Sequence, residues 1–299
     1  VPEVLDGSIR SLLMNIQTRY CLLFFTFLTS LSILLSACST DPAGPDGGIE
    51  SRVVSMLTLE SIHRGEVQVI DLTYALDETN PYWPGDDYAP FSYETIATLE
   101  KDNVLSGAFS MPEHLGTHLD APNHFVEGQI SVDQIPLQNL VAPMVVVDIR
   151  SAASENSDYQ LTIGDLQAWE ERNGTIPPRA VVFAFTGWGE KWSDFDSYKN
   201  ADEQGTLHFP GFSTESAEWL VRERQISGLG IDTLSVDPGI SEDFAVHHIV
   251  HGSGGYHIEN AAHLDQVPER GAWLLVAPIK IAGGTGGPTR CWAVFRSGA

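Results

Sequence analysis

The chain has 299 residues, of which 42% are hydrophobic, enough for a sizeable core and the composition of an ordinary globular protein. Its formal charge is −24, from 40 acidic against 16 basic residues, so a nucleic-acid backbone would be repelled and nucleic acid is not expected as a partner. The acidity is spread along the chain and reads as a solvated surface, which names no substrate.

From the N-terminus, the first feature is the apolar run "CLLFFTFLTSLSILLSAC" (21–38), which follows Arg19 and ends in Leu35-Ser36-Ala37-Cys38. A basic lead, an apolar stretch short for a membrane span and small residues at the cut have the shape of a bacterial secretory signal. The segment resembles a lipoprotein signal, whose closing tetrapeptide is the lipobox. That resemblance implies cleavage before Cys38, lipidation of Cys38, and a protein held in the cell envelope by its lipid anchor alone. Met14 is the expected start, because Glu3 and Asp6 fit poorly in a basic lead. Cys291 is then the only interior thiol, and no intrachain disulfide can form. The Pro/Gly/Asp-rich "STDPAGPDGGIE" (39–50) reads as a flexible tether, so residues 38–65 are expected to link the anchor to one folded domain over 66–299.

Within that domain, β-branched and partly alternating runs predict strands at "VQVIDLTYAL" (67–76), "MVVVDIR" (144–150), "AVVFAFTGW" (180–188), "GLGIDTLSVD" (228–237) and "AWLLVAPIKI" (272–281). The amphipathic stretches "TIGDLQAWEERN" and "STESAEWLVRER" suit helices, with Thr162 and Ser213 at N-cap positions. Strands outnumber helices, which predicts an α/β domain with a mixed sheet.

The densest chemistry lies in "EHLGTHLDAPNHF" (113–125), where His114, His118, Asp120 and His124 fall within eleven positions. Five of the other seven histidines lie between His247 and His263, which suggests that two distant segments build one site. The offsets four, two and four are all even, so an extended segment would point these side chains to one face. A helix would also bring His114 and His118 together, but Pro112, Gly116 and Pro122 argue against a long one. Either geometry converges imidazoles with a carboxylate, a ligand set for Zn²⁺ or Mn²⁺.

The motif "HLGTHLDAPNH" (114–124) resembles the signature of the cyclase family of metal-dependent hydrolases, of the kynurenine formamidase and isatin hydrolase type. The resemblance extends to "YWPGD" (82–86), "TGW" (186–188), "FPGFSTESAEWL" (209–220), "GIDTLSVD" (230–237), "IENAAHLDQVP" (258–268) and "GGTGGPTR" (283–290). It implies a swivelling β/β/α-like mixed α/β fold and one or two divalent ions per subunit. It also implies a homo-oligomer, a dimer or tetramer, and hydrolysis of a small amide, aryl formamide or cyclic amide. On the family pattern, His114, His118 and Asp120 bind one metal, and Asp120 bridges to a second site completed by His247 and Glu259, with His248 and His251 as nearby alternatives to His247. His124 corresponds to the proton donor and acceptor, and Trp83 to an aromatic residue of the substrate pocket, although Trp83 could equally pack the core. A metal-dependent lactonase and a tethered, non-catalytic binding protein are the competing readings. His63, His208, His257 and His263 read as structural histidines, Asp232 and Asp237 as turn residues before Pro238-Gly239, and "GGTGGP" as a tight connection between strands.

Overall fold

The computed structural model describes residues 58–85 and 88–296; the apolar run, Cys38, the tether over 39–50 and Asp86 lie outside them. Among the described residues no helix is long and apolar enough to cross a membrane. Within the stretch read as tether, Leu59–His63 form a helical turn capped by the Thr58 hydroxyl.

The strands in chain order are β1 (Gln68–Asp71), β2 (Ser92–Ala97), β3 (Ser106–Ser110), β4 (His118–Asp120), β5 (Val141–Asp148), β6 (Gln160–Leu161), β7 (Val181–Phe185), β8 (Gly211–Phe212), β9 (Gly228–Ile231), β10 (Tyr256–Glu259), β11 (Ala272–Pro278) and β12 (Gly286–Phe295). Eight of them form one sheet in the order β1-β12-β11-β5-β7-β9-β10-β4. The pairs β5–β7, β7–β9 and β9–β10 are parallel and the others antiparallel. Because β4 pairs with β10 on one side and with Gly286, Gly287 and Pro288 of β12 on the other, the sheet curls into a barrel-like ring. This is the mixed α/β architecture expected from the sequence. Strands β2 and β3 form a separate hairpin, and β6 and β8 a short parallel pair.

The nearly continuous apolar runs of β5 and β7 arise because both faces of these strands are buried. Met144, Val146, Val181 and Phe183 enter a core inside the ring with Leu119, Ile258, Leu274 and Ala293. Their neighbours Val145, Val147, Val182 and Ala184 point to the opposite face, where the helices pack. Each such fully buried aliphatic side chain contributes about 1.5–3 kcal/mol relative to exposure. Helix α1 (Ile163–Asn173) starts at the Thr162 capping box and buries Leu166 and Trp169 on this outer face. Helix α2 (Thr214–Trp219) is capped by Ser213, and its last residue runs on into a π-helical turn, Leu220–Arg224.

Helix α3 (Ala245–Gly252), which buries Val246, His247, Val250 and His251, has no counterpart among the sequence-predicted helices. Its N-cap residue, Phe244, is left-handed and makes no side-chain cap. Asp237 substitutes from outside the helix, its carboxylate accepting from the backbone N–H groups of Val246 and His247 at 3.0 and 3.1 Å. A cap that distant leaves no local start signal. Predicted strand 228–237 contracts to β9 because Asp232, just past its end, turns its carboxylate to the N–H groups of Thr186 and Gly187 instead of continuing a ladder.

Leu119 of β4 and Ile258 of β10 point into the inner core, so strand alternation places His118, Asp120, His257 and Glu259 together on the outer face. Val246 and Val250 join the outer core beside this patch, which brings His247 of α3 to the same place.

Candidate metal centre

In the antiparallel pairing of β4 with β10, His118 stands opposite Glu259 and Asp120 opposite His257. Directly paired residues share a face, so four donors are delivered by register alone. His118 Nε2 lies 3.2 Å from Asp120 Oδ1 and 3.4 Å from Glu259 Oε2. The other His118 nitrogen, Nδ1, donates to the Gly116 carbonyl at 2.9 Å, which fixes the tautomer and leaves Nε2 bare toward the centre. Gly116 has φ +66, a left-handed conformation that costs glycine little, and it turns the chain between His114 and His118. The even-offset strand therefore holds only for His118 and Asp120. His114 precedes the turn, and His124 ends a 3₁₀ turn, Pro122–His124, that starts at proline.

His114 reaches the centre from the turn, with Nδ1 2.6 Å from Asp120 Oδ1. Its Nε2 donates to Thr285 Oγ1 at 2.9 Å, and that hydroxyl donates to Glu113. Thr285 and Gly286 belong to the run read as a mere connection. Its second half is strand β12, and an added Cβ on Gly286 would lie 2.5 Å from both His114 Cε1 and the Leu119 carbonyl oxygen. That stretch cradles a candidate ligand.

From α3, His247 Nε2 lies 3.3 Å from Asp120 Oδ2 and 3.4 Å from Glu259 Oε1. Of the three histidines considered on this segment, His247 faces the centre, His248 is exposed, and His251 lies one turn further on, buried, its ring 5.4 Å from that of His247. Two groups of donors result. His114, His118 and Asp120 form one; Asp120, His247, His257 and Glu259 form the other, the donor atoms of each lying within 4.8 Å of one another. Asp120 presents Oδ1 to the first group and Oδ2 to the second, which is the geometry of a bridging carboxylate.

The electrostatics fit a cation. Burial opposes a charge on His118, but Asp120 and Glu259 outweigh it and lift its pKa to about 10. The same contest, with Asp120, Asp237 and Glu259 as the opposing partners, holds His247 well above its ordinary value. Burial likewise works against the charge on Asp120, and His114 and His118 overcome it to hold its carboxyl well below the usual range. The site thus favours positive charge, and the mixed N/O donor set is one that borderline divalent ions accept. The buried His/Asp/Glu group supports a divalent metal.

Above the donors is a cavity of about 230 Å³ whose walls include Trp83, Tyr88, Phe125, Leu234 and Phe244. Trp83 serves both alternatives left open by the sequence: it meets Phe244 edge to face at 5.7 Å in the cavity wall and also packs on the Trp188–Tyr198–Phe209 cluster. His124 lines the same cavity, stacked on His114 with ring centroids 3.9 Å apart, and belongs to neither donor group. Burial, more than any neighbouring charge, pushes its pKa down to about 4.

Two residues assigned elsewhere from the sequence belong here. His257, read as structural, stands on the site face opposite Asp120. Asp237, read as a turn residue, accepts from His247 Nδ1–H at 2.6 Å, leaving Nε2 as the free donor atom. Nothing local marks Asp237, because its partner lies ten residues away on another element. Asp237→Asn is expected to weaken metal binding at the His247 position by about 10- to 100-fold, the usual effect of losing a group that orients a ligating histidine. Competition titration with a chromophoric chelator checks this, and an unchanged affinity would remove Asp237 from the centre.

The family described as "Putative cyclase" matches residues 70–238. An isatin hydrolase of Roseibium aggregatum is 31% identical over 245 residues, covering 77% of this chain and 92% of that protein. A kynurenine formamidase of Salinibacter ruber is 28% identical, covering 76% of this chain and 97% of its own length. The solved structure of isatin hydrolase A from Ralstonia solanacearum superposes with a TM-score of 0.76 at 36% identity, covering 81% of this chain and 99% of that one. With the fold, the motif and the length of the match in agreement, this chain belongs to the cyclase family.

Proposed function

We propose that this protein is a metal-dependent hydrolase of a small non-peptide amide, with aryl formamides and cyclic amides as the substrate class. One observation carries the reading: two donor groups sharing Asp120 converge beneath an aromatic cavity whose wall also holds a non-ligating imidazole, His124. The relatives support the bond type, one being an isatin hydrolase and the other a formamidase.

His114, His118 and Asp120 hold one ion, and Asp120, His247 and Glu259 hold a second, with zinc or manganese the candidates. When bound, such an ion lowers the pKa of a water toward roughly 7 and polarises a carbonyl. His124, neutral near pH 7 because its pKa is pushed down to about 4, accepts a proton at attack and returns one to the leaving nitrogen. Trp83 and Phe244 hold a planar substrate ring by stacking or edge contact.

A screen of metal-loaded protein against N-formyl aromatic amines, isatin-like lactams and simple lactones tests this. Turnover is expected with at least one carbon–nitrogen substrate. Turnover of lactones alone would make the protein a metal-dependent lactonase, and tight binding without turnover would make it a capture protein.

The apolar segment before Cys38 supports export and lipid anchoring at the cell envelope. Cys38→Ser is expected to abolish labelling by a fatty-acid analogue, and persistent labelling would sink that assignment. The β2–β3 hairpin, which exposes Tyr93, Ile96 and Phe109, supports a homo-oligomer, and light scattering that returns the monomer mass would remove it.

A further inference from the structure

We propose that His257 is a fourth protein ligand at the second metal position, joining Asp120, His247 and Glu259. The inference rests on the metal-dependent reading above and adds a residue to it.

His257 is fully buried, and neither ring nitrogen has a hydrogen-bond partner. A buried imidazole with both nitrogens bare is rare in a folded protein, where buried polar groups are almost always satisfied. Its placement points to a metal ligand. Register sets it opposite Asp120 on the face shared with Glu259, and Nδ1 lies 4.0 Å from Asp120 Oδ2, the oxygen that also faces His247. That gap is too long for a hydrogen bond. Ligands 2.0–2.2 Å from one tetrahedral ion stand roughly 3.3–3.6 Å apart. The separations of 3.3 and 3.4 Å from His247 Nε2 to Asp120 and Glu259 match this edge, and that of His257 exceeds it by about half an ångström, within reach of a small ring rotation. His251 stacks on His257 with centroids 4.3 Å apart, and although its ring nitrogens also lack hydrogen-bond partners it stands outside both donor groups.

The two positions then differ in their donors. The first is offered His114, His118 and Asp120, with Glu259 Oε2 3.4 Å from His118 Nε2 at its edge. The second, with two imidazoles and two carboxylates, is filled by protein in the manner of structural zinc sites. The second ion would hold Asp120 and Glu259 in place and would be the more slowly exchanged of the two.

The test is metal content per chain after equilibrium dialysis against Zn²⁺, with a Co²⁺ titration followed by visible absorption. Wild-type protein is expected to hold two ions. His257→Leu, which keeps bulk and removes the donor, is expected to retain the first ion and bind the second at least about tenfold more weakly, with loss of the intense absorption of a four-coordinate Co²⁺. His257→Gln, which keeps a polar head, provides the comparison if the leucine variant misfolds, and it is expected to lose the same absorption. Two ions bound with unchanged affinity and spectrum in whichever variant folds would overturn the inference, and so would a wild type that holds a single ion. A wild type that binds no metal would instead overturn the reading on which the inference rests.

Discussion

Replacing His118 by alanine is expected to strip the first metal position and abolish hydrolysis. His118 is buried, its Nδ1 is committed to Gly116, and its Nε2 lies between Asp120 and Glu259, so no neighbouring group can take its place. Loss of one of three ligands should weaken the first ion by more than the 10- to 100-fold typical of groups that only orient a ligand. The same change has a thermal signature. An ion that binds only the folded chain stabilises it by about 2.7 kcal/mol at a free concentration 100 times its dissociation constant. For a domain of this size that corresponds to a melting shift of roughly 5–10 °C. Chelator should therefore lower the melting temperature of wild type by an amount of this order and that of His118→Ala by much less. Full activity in rigorously metal-free wild type would end the metal-dependent reading.

His124→Ala should behave in the opposite way, keeping its metal while losing about 10²- to 10⁴-fold in kcat, the range for a general acid/base. His124 lies outside both donor groups and meets the centre through ring contacts, a stack on His114 and an edge contact at 6.2 Å with His247, so metal content should stay at the wild-type level. A parallel loss of metal would show that His124 holds His114 in place rather than moving protons. Activity within tenfold of wild type would assign the proton to another group on the cavity wall. The two variants together separate metal binding from proton transfer, which activity measurements on either alone cannot do.

The sequence by itself determined the chemistry-bearing segments and the class of fold. His114, His118 and Asp120 were legible because they are close in sequence and because Gly116 and Pro122 limit what the backbone between and after them can do. Strands β5 and β7 of the central sheet were legible because burial on both faces leaves long β-branched runs such as "MVVV" and "VVFAF", and β1, β9 and β11 by similar runs, whereas β10 and β12 were not predicted. The preference for His247 over His248 and His251 came from the family spacing to Glu259; with α3 in place the helical period turns His248 to solvent, while His251, one turn on along the same face, falls outside both donor groups. Asp237, Thr285 and Gly286 were read as turn and connection residues for a related reason. Each acts on a residue of another element, His247 or His114, through hydrogen bonds or a close approach that leave no periodic or compositional trace. His257 was read as structural because a lone histidine is ambiguous until the strand register is known. The pairing of β10 with β4 sets it against Asp120, and a shift of one residue would have turned it into the inner core.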